Sequence, residues 1–429
     1  LLIVSCSLFS QTGWFPCNTG TNNDLTSVSF VDQNTGWVAG YNNTVDYHGV
    51  ILRSTNGGTN WVSQVDEYNF QPESIYFLDE NSGWSTGSRL FGTNRSAVKK
   101  TTNSGTTWMN VTIPDTSIST NSVYFIDQNT GWISGRDINN KVKIFKTMNG
   151  GLNWTVMETD FISSNPGPKI QFLNSNTGYL AALQLIKTTN GGLNWNISDL
   201  GSNVNASQPY FVNANTGWVT GYSQHPAVNY IKKTNDGGNS WVSQLVYPLA
   251  TGRAVYSTYF INSTTGWSAG SEYVNSSLIL KTTNSGVTWS TQTSQAYTNS
   301  LSSIFFINEN YGWSVGTNGR MLRTTDGGGS LTAFETISSS IPKSYSLKQN
   351  YPNPFNPVTY IEFSIPETGF VKLSVFSSIG REIGILVNEQ LQPGIYRTQF
   401  EGSRLPSGVY FYTLNSKNYM ETKKLVLIK

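Results

Sequence analysis

The sequence of 429 residues has only two cysteines, two histidines and few charges, 27 Lys and Arg against 25 Asp and Glu, or 12% of the chain. Each scarcity excludes something. Two histidines with no Cys-x-x-Cys cannot build a His-rich or thiolate metal centre. No glycine-rich segment has the strand-to-helix context of a phosphate loop, so no metal or cofactor is expected. A net charge of +2 offers nothing to attract nucleic acid or an anionic membrane. Beyond the first residues no apolar run approaches the roughly 18 residues of a membrane helix, so no membrane span is expected. Ala and Leu are thin, whereas Gly, Asn, Ser and Thr are heavily used and aromatics make up 13%. Low charge with many aromatics is the reverse of a disordered composition. Short strands joined by turns are expected, an all-β fold.

Leu1 to Gln11 reads as the apolar part of a secretory signal, with residues 1–10 as its remnant. Ile3-Val4-Ser5-Cys6 also has the small residues before a cysteine that a lipid-attachment site requires. Cleavage near Ser10 would leave Cys17 alone, so stability has to come from packing and not from disulfides.

Two signatures alternate along most of the chain. The first ends in a Gly-aromatic step at Trp37, Trp84, Trp132, Tyr179, Trp218, Trp267 and Trp313. The second, Ser/Thr-x-Asn/Asp-x-Gly-x-x-Trp, ends at Trp61, Trp108, Trp154, Trp195, Trp241 and Trp289. The spacing gives seven units of about 46 residues. A seventh copy of the second signature, Thr324 to Ser330, has Leu331 in place of its Trp, while the orphan Trp14 lies 47 residues before Trp61. A ring in which the N-terminal strand supplies the outer strand of the last blade accounts for both, and leaves only short, protected edges. Within one unit, 122–126, 131–135, 143–147 and 154–157 read as four strands bounded by turn residues.

Segments such as Ser54-Thr55-Asn56-Gly57-Gly58-Thr59-Asn60-Trp61, paired with the Gly-Trp steps, resemble Asp-box (BNR) propellers, and among them the seven-bladed photosystem II assembly-factor type. The resemblance spans about residues 13 to 331. It implies a seven-bladed β-propeller closed by its N-terminal strand over 11–331, with the boxes as folding turns. It does not imply a reaction, because one fold serves many functions.

The period stops near 345. Tyr351-Pro352-Asn353-Pro354-Phe355-Asn356-Pro357, the Gly408-Val409-Tyr410 strand and the basic end Lys423 to Lys429 resemble the type A C-terminal sorting domain of the type IX secretion system, carried by exported proteins of Bacteroidota. Alternating apolar residues in 345–429 are expected to fold as a small C-terminal β-sandwich, joined by a linker at 332–344. The resemblance implies the secretion translocon as partner and a secreted or outer-membrane surface location. Residues 345–429 hold nine Lys and Arg against six Asp and Glu, and the remainder 18 against 19, so the propeller is electrically bland.

Strands of a blade alternate in direction, so both repeated turns lie on one face and every irregular connection lies on the other. Loops on rigid scaffolds carry function. Candidate ligand-binding residues on that face are Tyr47, His48, Arg89, Phe91, Arg95, Arg136, Tyr222, His225, Arg253, Tyr256, Glu272 and Tyr273. No catalytic residue is assigned. The third-strand residues Arg53, Lys100, Lys146, Lys187, Lys233, Lys281 and Arg323 are expected to lay their stems over neighbouring strands and keep their charge in water. The alternative is a secreted sialidase-like glycoside hydrolase drawing on Arg89, Arg95, Arg136, Arg253 and Arg320. No Arg-Ile-Pro segment supports it, and most acids recur in turns rather than forming the carboxylate pair that hydrolysis needs. The residues favour an exported propeller that binds a protein or glycan, and binding over turnover.

Overall fold

The computed structural model describes residues 13–42, 47–163, 167–272, 276–292, 299–328, 335–338, 342–402 and 405–429. The expected signal remnant and Cys6 lie outside them. The chain divides into two compact units between Gly328 and Gly329.

The first unit contains seven four-stranded antiparallel sheets among the described residues. In the first, Asp24–Phe30, Gly36–Tyr41, His48–Ser54 and Val62–Tyr68 pair in sequence order, and five more blades repeat that order. The seventh is built from Leu301–Phe306, Gly312–Gly316 and Met321–Thr324, with Phe15–Pro16 as its outer strand. Phe15 pairs with Arg323 and Pro16 with Leu322, and the Cys17 amide donates to the Met321 carbonyl at 2.9 Å. The Gly13 amide donates a hydrogen bond to the Asp326 carboxylate at 2.9 Å. The ring therefore closes through backbone pairing of residues some 300 positions apart, as the orphan Trp14 implied. Cys17 is a free cysteine.

Aromatic stacking joins each blade to the next. The Gly-Trp tryptophan lies flat on a phenylalanine at the end of the next blade's first strand: Trp37 on Phe77 at 3.4 Å, Trp84 on Phe125 at 3.6 Å and Trp132 on Phe172 at 3.5 Å. Tyr179 on Phe211, Trp218 on Phe260 and Trp267 on Phe306 continue the series, and Trp313 on Phe30 at 3.6 Å closes it. Each phenylalanine meets a second tryptophan edge-on, from Trp61 against Phe30 to Trp289 against Phe260. At Phe306 that edge-on ring is Trp14, at 5.7 Å. Stacked and T-shaped pairs are each worth ~0.5–1.5 kcal/mol beyond their burial. The glycine of each Gly-Trp step follows from this packing. A Cβ on Gly36 would sit 2.3 Å from the Phe30 ring, and one on Gly217 equally close to Phe211.

The third-strand cations differ from expectation. Their heads are not left in water: Lys100 donates to the Gly150 carbonyl at 2.6 Å, Lys187 to Gly237 at 2.7 Å and Lys281 to Gly327 at 3.1 Å, each in the next blade's turn. The same ammonium groups lie over the Trp84, Tyr179 and Trp267 rings. Burial pushes Lys100, Lys146, Lys233 and Lys281 below the ordinary lysine value. Lys100, Lys187 and Lys281 are inter-blade clamps, because the aromatic ring beneath each brings an electron-rich face and a turn carbonyl of the next blade within reach of one side chain.

In the second unit two four-stranded sheets face each other. One contains Gly394–Glu401, Val358–Ile365 and Ser346–Leu347, the other Glu382–Leu391, Gly369–Ser377, Gly408–Ser416 and Tyr419–Leu427. Alternate residues, such as Ile361, Phe363 and Ile365 or Val371, Leu373 and Val375, point into one apolar core. The interval 332–344, expected as a linker, is not strand-free. Glu335–Ser338 pairs with Gly394–Glu401 as the fourth strand of the first sheet. Its register is bulged and it lacks the clean alternation of the other strands, which hid it in the sequence.

Replacing Trp14 with Ala removes the edge-on ring that closes the seventh blade, and the folded propeller is expected to lose about 3–5 kcal/mol. Equilibrium denaturation of the two chains measures it; an unchanged midpoint would show that the closing strand contributes nothing.

Candidate ligand-binding site

The first strands of all seven blades line a central cavity of about 660 Å³. One residue before each stacked phenylalanine, Tyr76, Tyr124, Tyr210, Tyr259 and Phe305 turn inward and narrow its turn-face end. Neighbouring rings there lie 5.2 Å apart for Tyr76 and Tyr124, 4.9 Å for Tyr210 and Tyr259, and 5.0 Å for Tyr259 and Phe305. Their hydroxyls are anchored across blades: Tyr76 donates to the Phe125 carbonyl at 2.7 Å and Tyr210 to Phe260 at 2.9 Å. Burial pushes Tyr76, Tyr124, Tyr210 and Tyr259 above the ordinary tyrosine value, so these floor hydroxyls stay protonated.

Above the floor, the inner strands solve a shared problem. Their inner edges have no strand partner, so amides facing the axis need other acceptors. Side chains from the preceding blade supply them. Ser27 Oγ accepts from the Ile75 amide at 3.1 Å, Ser122 Oγ from Ile170 at 3.3 Å, Gln208 from Thr258 at 3.1 Å and Ser257 Oγ from Ile304 at 3.2 Å. The hydroxyl-rich wall is thus partly structural. In blade four the equivalent residue is Lys169, whose ammonium donates to the Asn121 carbonyl at 3.2 Å.

Six of the seven inner strands break register one position earlier. The extra residues are Thr26, Glu73, Asn121, Ser207, Tyr256 and Ser302. A bulge re-aims a side chain, and five of these six residues line the cavity. The irregularity recurs while the residue type does not. Tyr222, Asn229 and Thr317 add the rim toward the irregular-loop face.

The residues chosen from the sequence fall in several separate places. Tyr256 lies at the rim with its hydroxyl 3.0 Å from Ser271 Oγ, and Tyr222 borders both the central cavity and a polar cleft of about 780 Å³ that also contains His225. Arg253 and Glu272 form an ion pair, with the guanidinium over the Tyr247 ring. Arg136 donates to Asn140 at 3.1 Å within its own loop, and the Arg95 amide donates to the Thr116 carbonyl at 2.7 Å. Tyr273 lies outside the described residues. Of the arginines on which a sialidase-like site would draw, Arg89 and Arg95 share one connection of blade two, Arg136, Arg253 and Arg320 stand on three other blades, and among the described residues no arginine lines the cavity.

Tyr47, His48, Arg89 and Phe91 do come together, across blades one and two. The Tyr47 ring meets Phe91 edge-on at 5.4 Å, and Phe91 lies nearly parallel to Tyr68 at 6.1 Å. Tyr68 and Phe91 are 56% and 50% exposed, a surface that aromatic rings rarely present without a partner. Beside them His48 Nδ1 lies 2.7 Å from the Asp66 carboxylate. Beneath, Glu67 bridges Arg89 at 3.1 Å and the buried Lys99 at 2.6 Å.

Glu73, Lys169, Tyr68 and the buried Lys99 were not singled out from the sequence. Aligning the units on the stacked phenylalanine exposes the first two: Glu73 stands four residues before it, where other blades carry Thr26, Asn121, Ser207, Tyr256 and Ser302, and Lys169 stands three residues before it, where the others carry Ser27, Ser74, Ser122, Gln208, Ser257 and Ser303. Tyr68 and Lys99 carry no comparable signal, since both lie in ordinary strand positions.

Burial alone would raise the Glu67 carboxyl, but hydrogen bonds and charge from Lys99 and Arg89 outweigh it and hold the group below the ordinary value of 4.5. Because the folded value is depressed, this contribution is present above 4.5 and disappears as pH falls through the lower folded value. Glu67→Gln is expected to lose about 1 kcal/mol or less at neutral pH, the group being partly solvated. The difference should shrink as pH falls below 4.5, as read from urea denaturation of both chains; a pH-independent gap would refute the linkage.

Residues 349–429 match the secretion system C-terminal sorting domain. No curated protein matches the chain. Among solved structures, YCF48 bound to D1 peptide superposes with a TM-score of 0.57 at 16% identity, covering 74% of this chain and 98% of that one. YCF48 from Cyanidioschyzon merolae gives 0.55 at 17% identity, covering 73% and 98%. A GH74 enzyme from Niastella koreensis gives 0.57 at 13% identity, covering 82% and 59%. At these identities the likeness is one of fold. The chain is a β-propeller of that kind followed by a type IX secretion sorting tail, which directs it to the cell surface or into the medium.

Proposed function

We propose that the protein is an exported binding module that recognises a protein or glycan through its irregular-loop face. The observation that carries this reading is the contrast between two sets of positions. The stacking rings, turn residues and clamps recur along the ring, whereas the bulge residues, Thr26, Glu73, Asn121, Ser207, Tyr256 and Ser302, are of five types in six blades. A ring needed only as a scaffold has no reason to vary its chemistry at the single position aimed into a cavity. The exposed Tyr68 and Phe91 rings widen the available surface on the same face. A propeller of similar fold is the YCF48 bound to D1 peptide, a precedent for peptide binding on this fold.

The full chain, screened on glycan and peptide arrays beside a fluorogenic glycosidase panel, tests the proposal. Ligands retained on the arrays are expected to lose at least tenfold in affinity with Phe91→Ala or Tyr256→Ala and to be unaffected by Met148→Ala, on the opposite, turn-bearing face. Turnover of any glycoside, or binding lost only in Met148→Ala, would overturn it.

A further inference from the structure

The central cavity has a composition that narrows the class of occupant. Its charged lining residues are one carboxylate, Glu73, and one ammonium, Lys169, among the described residues. Both are half-buried and come from different blades, two and four. Neither belongs to an ion pair among the described residues. An ammonium carries three donors. Lys169 uses one on the Asn121 carbonyl, and Glu73 accepts from the Tyr41 hydroxyl at 3.0 Å with one oxygen. Each therefore keeps hydrogen-bonding capacity that water, or an occupant, must satisfy.

Around these charges the wall is built of hydroxyls and amides, including Ser74, Ser207, Ser302 and Asn229, with tyrosine rings as the floor. Beside them stand Val28, Val123, Ile170, Pro209, Val255 and Ile304, so apolar patches lie next to the polar ones. Such a lining suits a molecule with many hydroxyls and one flat, weakly polar face, which is the description of a sugar ring. Burial, opposed by the nearby Glu73 charge, lowers the proton affinity of Lys169, so its charged form gains from an anion brought into the cavity. The floor rings narrow the far end, which favours a short ligand entering from the loop face over a polypeptide threading through. A volume of about 660 Å³ lies within the range of small-ligand sites.

We propose that the cavity binds a carboxylate-bearing sugar, with Lys169 on the carboxylate and Glu73 and Tyr256 on ring hydroxyls. This rests on the reading of the loop face as a binding face and names the ligand class for one part of it. The bulges are what make the site. At Glu73 and Tyr256 the extra residue turns inward a side chain that a regular strand would have sent elsewhere, and blade four supplies its cation from the capping position instead.

Calorimetric titration of the full chain with digalacturonate and diglucuronate, against the neutral disaccharides of the same linkage, provides the test. At least one acidic sugar is expected to bind tenfold or more tightly than its neutral counterpart. Lys169→Met should abolish that preference and Lys169→Arg should keep it. Because Lys169 also caps a strand, thermal denaturation accompanies each variant; if Lys169→Met does not fold, Tyr256→Phe, which keeps the ring and removes the hydroxyl, should weaken acidic and neutral sugars alike by several fold. Equal affinity for acidic and neutral sugars, or an acidic preference that survives in folded Lys169→Met, would overturn the assignment. Absence of sugar binding beside a different ligand sensitive to Phe91→Ala would overturn it too, while leaving the loop-face reading intact.

Discussion

The flat stack of a tryptophan from one blade on a phenylalanine of the next is the contact on which the propeller depends. It occurs at every blade junction, with Tyr179 replacing Trp once, and each phenylalanine is held edge-on from its other side by a second aromatic ring. The inner strands of neighbouring blades are not joined by ladder hydrogen bonds, so side chains have to fix the angle between sheets. Flat stacking at about van der Waals separation does this more tightly than aliphatic packing, because a ring pair has few orientations of low energy. Other regularities follow from it. The glycine before each Trp leaves space for the ring, and the third-strand cation covers the outer face of the same Trp while reaching a carbonyl in the next blade.

A rigid ring of this kind leaves its axis free to vary. Serine and glutamine side chains satisfy the amides that face the axis, so the wall is polar for structural reasons before any ligand is considered. Onto that wall the bulges of five blades each add one residue, Thr26, Glu73, Ser207, Tyr256 and Ser302. The stacking position and the bulge position of a repeat are thus separated by four residues along one strand.

The second unit is a sandwich with its own apolar core. Its match to a secretion sorting domain assigns it to delivery of the chain, and the propeller to what is done after export. The propeller holds itself together outside the cell with rings, clamps and a closing strand; its described cysteine, Cys17, is free.

The repeat was legible in the sequence because its physical causes are local in composition: a Trp after a Gly, a polar turn of fixed length, and a Phe at a strand end recur at blade spacing. The orphan Trp14 and the missing Trp at Leu331 were enough to imply ring closure, which Trp14 against Phe306 now realises. The grouping of the loop residues was not legible, since Tyr47, Tyr68 and Phe91 meet only through the juxtaposition of two blades. Lys99 reads as an exposed strand residue until Glu67, 32 positions away, is brought beneath it. Glu73 and Lys169 are nearly a hundred residues apart and belong to strands that never pair. By itself the sequence determined the number of blades, the joints between them and the export of the chain, since each rests on a pattern short enough to be written within one repeat. Which side chains share the cavity was decided only by the tertiary structure, because closing the ring brings seven separate strands to one axis and the bulges choose which residue of each faces it.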